Sequence, residues 1–158
     1  MVSLKVHLPD ERATLRLGAA LAAALEPGLV IYLRGELGAG KTTLVRGVVR
    51  ALGHEGVVRS PTYTLVEVYA VSRLNLHHFD FYRFHDPREW IDAGFRESFN
   101  GRTVSLIEWP EKAAGLLPPA DMEIALALHG TGRNAELTSS SLRGQKCLAR
   151  LEERWRAS

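Results

Sequence analysis

The stretch Gly35-Glu36-Leu37-Gly38-Ala39-Gly40-Lys41-Thr42 constrains this chain more than any other. It matches G-x-x-x-x-G-K-[ST], the pattern of a loop whose backbone N–H groups turn inward around phosphate oxygens. Side chains would obstruct that path, and Gly35, Gly38 and Gly40 keep it open. Lys41 is placed to reach the outer phosphates, and the Thr42 hydroxyl to ligate Mg2+. The context agrees. Leu29-Val30-Ile31-Tyr32-Leu33 reads as a strand covered on both faces, and residues 42–52 read as a helix closed by Gly53. That helix would aim the positive end of its dipole at the anion. A plain glycine-rich turn would need neither lysine nor hydroxyl after its last glycine, so the stretch predicts nucleotide binding.

The rest of the chain supplies an α/β frame. Leu4, Val6 and Leu8 alternate with polar residues as in a half-buried strand, and Asp10 caps a predicted helix running to about Leu25 with Leu17, Leu21, Ala24 and Leu25 on its apolar face. Strands are predicted over 64–71, 74–81 and 103–107, with a turn at Ser72-Arg73 between the first two. Asp86-Pro87-Arg88-Glu89 has the cap, first-turn proline and following acid of a short helix. Residues 122–128 and 135–139 predict a late antiparallel hairpin, and the end of the chain a helix. The 158 residues suit one domain, 1–158, with a mixed sheet.

A phosphate-binding loop that drives chemistry needs a carboxylate near the metal, usually at the end of an adjacent apolar strand. Asp80 ends one such run and Glu108 another. One could hold Mg2+ while the other orients the attacking water; residue type alone leaves those roles open. His78 shares a strand face with Asp80 and could orient it, or simply pack there. Ser60-Pro61-Thr62-Tyr63-Thr64 is a hydroxyl-rich loop in which a threonine could sense the terminal phosphate; it is equally a proline turn entering a strand.

Composition narrows the remaining classes. With 46% apolar and 24% charged residues the chain is neither disordered nor membrane-like, and no apolar run approaches the roughly 20 residues of a membrane helix. One cysteine, Cys147, argues against a disulfide framework and a thiolate zinc site. No signal layout opens the chain, so a cytoplasmic location is expected. The net charge of +2 is too mild to point to nucleic acid, and Arg143, Lys146, Arg150, Arg154 and Arg156 read as a solvated helix face.

Taken in order, GELGAGKTTLVRGVVRALG, SPTYTLVEVY, HFDFYR and IEWP resemble the TsaE (YjeE) family, the bacterial ATPases of tRNA threonylcarbamoyladenosine synthesis. The resemblance implies a P-loop NTPase-like three-layer α/β domain, with a mixed, mainly parallel central sheet and added antiparallel strands. It implies ATP/ADP and Mg2+ as ligands, and a TsaD–TsaB complex as partner, with tRNA met only through that complex and no membrane role. It places Gly38, Ala39, Gly40, Lys41, Thr42 and Thr43 on the phosphates, and Thr42 and Glu108 on Mg2+. It puts Thr62 in a switch-like loop, Asp80 at the Walker-B-like position, and Trp109 directly after the metal acid; the residues themselves suggest that the Ser60–Thr64 loop, the acidic strand ends and an exposed Trp109 could let partner and nucleotide communicate. Thr14 and Arg133 match positions around the base and sugar.

Two other readings share the cradle. A small-molecule kinase would carry an arginine-rich lid, whereas Arg83, Arg88 and Arg96 are scattered. A binding module could use ATP only as a conformational clamp. A GTPase would need a guanine-reading N-K-x-D stretch, which this sequence lacks.

Overall fold

The computed structural model describes residues 2–71, 73–86, 88–89 and 94–158. A seven-stranded sheet organises them, built from β1 (Ser3–Leu8), β2 (Val30–Arg34), β3 (Val66–Val71), β4 (Leu74–Asp80), β5 (Thr103–Glu108), β6 (Met122–His129) and β7 (Gly132–Ser139). The order is β1-β7-β6-β2-β5-β4-β3. Strands β6, β2, β5 and β4 run parallel; β7 and β3 are added antiparallel at the two sides of that set, and β1 pairs antiparallel with β7, so it runs with the parallel strands.

Alternation along the strands sorts the core into two faces. Ile31, Leu33, Leu76, Val104, Leu106, Ile124 and Leu126 belong to one cluster, with the helices α1 (Glu11–Ala24), α2 (Lys41–Ala51) and α3 (Leu142–Ala157). Val30, Phe79, Phe81 and Ile107 belong to the other, closed by Phe84, Phe95 and Ala113 from loops and 3-10 turns. The three-layer α/β arrangement is therefore met, with short turns rather than long helices on the second face. Burial drives α2 despite its β-branched residues: Leu44, Val45, Val48 and Val49 are all fully buried, each contributing about 1.5–3 kcal/mol.

Local signals set the boundaries. The Asp10 carboxylate accepts the Ala13 N–H at 2.9 Å and starts α1. Gly130 and Thr131 alone join β6 to β7, because His129 pairs with Gly132, so that hairpin is tighter than the sequence pattern suggested. Strand β3 begins at Val66 rather than at 64. Leu65 has φ 69 and donates its N–H to Pro61 O at 2.7 Å, a turn that delays the strand. Asp86 Oδ1 accepts from the Arg88 N–H at 2.9 Å, and Glu89 Oε1 from the Asp86 N–H at 3.2 Å, so Asp86 caps the second following N–H while Glu89 reaches back to the cap as in a capping box. Ser72 of the predicted turn, and Pro87 and residues 90–93 of the predicted short helix, lie outside the described residues.

Helices α1 and α2 meet at two glycines. A Cβ on Gly47 would fall 2.5 Å from Leu15 O, and one on Gly18 2.5 Å from Leu44 O. The basic residues of α3 correct the expectation of a purely solvated face. Arg150 donates to Ala24 O at 2.7 Å and Arg143 to Pro27 O at 2.6 Å, neutralising carbonyls at and beyond the C-terminus of α1. Among the described residues no helix is long and apolar enough to cross a membrane.

Candidate nucleotide site

The parallel strands end at the phosphate-loop motif, which bridges β2 and α2. Gly40 has φ 104 and is the N-cap of α2, a left-handed conformation that turns the loop into the helix. Gly35 is fixed by a close approach: a Cβ there would fall 2.6 Å from Leu126 O. A cleft of about 250 Å3 lies over the loop and is lined by Leu37, Gly38, Ala39, Gly40, Lys41, Thr42, Thr43, Ser60, Thr62, Asp80, Glu108, Trp109 and Arg133. A second cleft of about 190 Å3 adjoins it, lined by Asp10, Glu11, Thr14, Gly40, Thr43, Thr131, Gly132 and Arg133. Gly40, Thr43 and Arg133 belong to both. The structure thus brings together the candidate residues read from the sequence, with Gly35 behind the loop and Thr14 in the second cleft.

Lys41 is buried. Its ammonium donates to Gly35 O and, at 3.4 Å, to Glu36 O, and lies 4.3 Å from the centre of the Trp109 ring. Burial lowers its pKa, against the opposing pull of Glu108 and Asp80. Trp109 is half-buried rather than exposed, wedged between Lys41 and Tyr82, whose ring lies 5.0 Å away. Its φ of 55 is left-handed, a strained posture for a bulky residue.

Asp80 and Glu108 are direct register partners on the parallel strands β4 and β5, so the two strand ends are equivalent in space. They share the helix-facing side with Leu76 and Leu106, which aims both acids at the start of α2. Asp80 accepts the Tyr82 N–H at 2.9 Å and the Thr62 hydroxyl at 3.0 Å, and Thr62 in turn lies 2.7 Å from the Ser60 hydroxyl. Burial raises the Asp80 pKa; the Tyr82 N–H opposes the shift and the Glu108 charge adds to it. The Thr42 hydroxyl lies 3.4 Å from Glu108 Oε2.

Two relations escaped the sequence. His78 does not bond Asp80. It is fully buried, and its Nε2 lies 2.6 Å from Glu108 Oε2 on the neighbouring strand. Arg133 is neither in a loop nor free: from the second residue of β7 it donates to Gly38 O at 3.0 Å and Ala39 O at 3.0 Å, bracing the phosphate loop. Thr14 is buried, and a methyl on Gly40 would come within 3.9 Å of its Cγ2.

The donor set suits a hard divalent cation. A hydroxyl and two carboxylates converge beside the glycine-rich loop. No group of three or more His, Cys, Asp or Glu side chains able to hold a metal occurs among the described residues. A cation here would complete its shell with phosphate oxygens and water, as Mg2+ commonly does.

Residues 8–135 match the family model described as Threonylcarbamoyl adenosine biosynthesis protein TsaE. The tRNA threonylcarbamoyladenosine biosynthesis protein TsaE of Haemophilus influenzae is 43% identical over 154 residues, covering 94% of this chain and 98% of that protein. The protein of the same description from Bacillus subtilis is 37% identical over 130 residues, 82% of this chain and 81% of its own. The crystal structure of Bacillus subtilis YdiB is similar with a TM-score of 0.83 at 29% identity, over 96% of this chain and 95% of that one.

Proposed function

This chain belongs to the TsaE family of tRNA threonylcarbamoyladenosine biosynthesis, and on that premise we propose that it is a Mg2+-dependent ATPase whose cycle supports repeated turnover of a TsaD–TsaB complex. The observation that carries this reading is the convergence of Lys41, Thr42, Thr62, Asp80 and Glu108 on one cleft over the phosphate loop. Residues 1–158 act as a single nucleotide-binding unit in this reading, cytoplasmic like the tRNA they serve.

Each residue has a definable task. The backbone N–H groups of 38–43 and the α2 dipole hold the phosphates. Lys41, now occupied with Gly35 O and Glu36 O, exchanges those carbonyls for phosphate oxygens. Thr42 and Glu108 would hold Mg2+, which when bound offsets charge building on the phosphate oxygens. Asp80 orients the attacking water: burial raises its pKa, which suits a group that takes up a proton. Its bond to Thr62 ties that water site to the Ser60–Thr64 loop, so the loop senses whether the terminal phosphate is present. Thr14, Thr43 and Arg133 line the adjoining cleft, where base and sugar fit.

The test is steady-state phosphate release from ATP with Mg2+, by the chain alone and with a TsaD–TsaB pair. Weak turnover alone and a clear rise with the pair are expected, and Glu108→Ala should abolish both. No rise with an active pair would remove the partner-coupled reading. Phosphate release that needs an added acceptor would favour a kinase instead. Equal affinity for the pair in the ATP, ADP and nucleotide-free states would exclude the sensing role of the loop.

A further inference from the structure

We propose that His78 is a positioning residue that fixes the carboxylate of Glu108 for the divalent cation, and so sets how much Mg2+ the nucleotide complex requires. The inference rests on the nucleotide-and-Mg2+ reading above and deepens it by assigning the group behind the metal acid.

The geometry is specific. His78 lies opposite Leu106 in the parallel register of β4 and β5, so Glu108 stands two residues further along the neighbouring strand, on the same sheet face. The His78 ring and the Glu108 side chain are almost wholly buried, 0% and 4% exposed, and the contact of 2.6 Å is short for an N–H to carboxylate bond. Nδ1 of the same ring is buried with no hydrogen-bond partner among the described residues. An N–H at Nδ1 would be stranded there at a cost of about 1–3 kcal/mol, so Nε2 is the nitrogen that donates. A ring packed only for its apolar bulk would not need its one bonded nitrogen aimed at the metal acid.

What the bond does follows from where it falls. The His78 contact and the Thr42 hydroxyl both lie on Oε2, and no described residue bonds Oε1. One oxygen is therefore held by the protein, and carboxylate rotation is restricted before any ligand arrives. A glutamate side chain left to itself would spread over several rotamers and lose that preorganisation. Groups that hold a ligating side chain from behind typically change metal affinity by about 10–100-fold when removed.

The experiment uses the full chain and a fluorescent ATP analogue, titrated with Mg2+ at fixed nucleotide and, separately, titrated with nucleotide in excess EDTA. His78→Leu is expected to raise the Mg2+ concentration for half-maximal effect by about 10–100-fold, while metal-free nucleotide affinity stays within about twofold. His78→Gln, whose amide N–H reaches close to the place of Nε2, should restore most of the Mg2+ response; His78→Asn, one carbon shorter, should not. The Gln and Asn pair carries the comparison if the leucine variant fails to fold. A wild-type Mg2+ requirement in His78→Leu, or equal responses of Gln and Asn, would overturn the inference. So would a loss of metal-free nucleotide affinity matching the loss of Mg2+ response, since that marks general collapse of the site. If the unaltered chain shows no Mg2+-dependent nucleotide binding at all, it is the underlying reading that fails.

Discussion

Replacing Gly47 by alanine sets two effects of known sign against each other. Alanine in a helix interior is favoured over glycine by about 1 kcal/mol, so α2 taken alone would gain. The packing opposes it. The new Cβ would lie 2.5 Å from Leu15 O and 3.0 Å from Leu15 Cα, both backbone atoms that cannot swing aside. Relief to ordinary contact requires the two helices to part by roughly 1 Å, and forced overpacking of this kind costs about 1–3 kcal/mol or somewhat more. A 2.5 Å approach to backbone belongs in the upper part of that range, about 2–3 kcal/mol, so the clash wins and the expected net loss is about 1–2 kcal/mol. For a chain of this size that is a fall in Tm of roughly 2–8 °C. Thermal melting followed by circular dichroism on the ligand-free protein measures it. Gly18→Ala supplies a second arm, because its Cβ would lie 2.9 Å from Gly47 Cα and occupy the same gap. Once one methyl has parted the helices the second enters at less cost, so the double variant should lose less than the sum of the singles. A rise in Tm for Gly47→Ala, as helix propensity alone demands, would refute the close-approach argument, and strict additivity would refute the shared gap.

Other consequences follow from single contacts. Arg133→Ala removes the brace on the Gly38 and Ala39 carbonyls and should weaken nucleotide binding about tenfold, roughly the worth of one charge-assisted bond; Arg133→Lys should not restore it, having no planar fork to bridge both oxygens. A fluorescent nucleotide titration reads this directly. Asp10→Ala deletes the N-cap of α1 and should cost about 1 kcal/mol, seen as a Tm lower by roughly 2–4 °C. Burial pushes the Cys147 thiol up to about 11, so at pH 8.5 iodoacetamide should label the native chain on the order of 100-fold more slowly than the unfolded one. The same shift makes the native chain hold a proton that the unfolded chain releases. Stability from this group is therefore complete below about pH 9 and declines as pH rises towards 11, and Cys147→Ala should flatten that decline in chemical denaturation.

The cradle was legible because its chemistry is local: a loop, a lysine and a hydroxyl contiguous in sequence. The two acids were legible as strand ends, and the register pairs them as expected. The partner of His78 was not. Alternation correctly put His78 and Asp80 on one face, but residues two apart on a strand are separated by about 6.6 Å, whereas the neighbouring strand is only about 4.8 Å away. The bond to Glu108 therefore depends on β4 lying beside β5, and sequence carries no direct signal of strand order. Arg133 is the same problem at longer range: it reaches the loop only because β6 sits beside β2 and carries β7 with it. The posture of Trp109 was hidden differently, in a left-handed φ that residue type argues against.

These hidden contacts share a direction. Burial works against the charge on Lys41 and on Asp80, and the Glu108 charge pushes the Asp80 pKa up further. Beside each acid stands a non-glycine residue with left-handed backbone: Leu65, whose carbonyl accepts the Asp80 N–H at 3.0 Å, and Trp109, next in sequence to Glu108. Such residues cost about 1–3 kcal/mol each and persist only where the surroundings fix them. Here the surroundings are β4, β5 and the aromatic layer packed beneath them. A core selected for stability alone would neutralise these acids and relax these turns. That the fold instead uses well-packed strands to hold two carboxylates and a desolvated lysine around the Gly35–Thr42 loop is the physical support for the nucleotide and cation site proposed above. It also explains why the residues that do the holding, His78 and Arg133 among them, are as much part of the site as those that face the cleft.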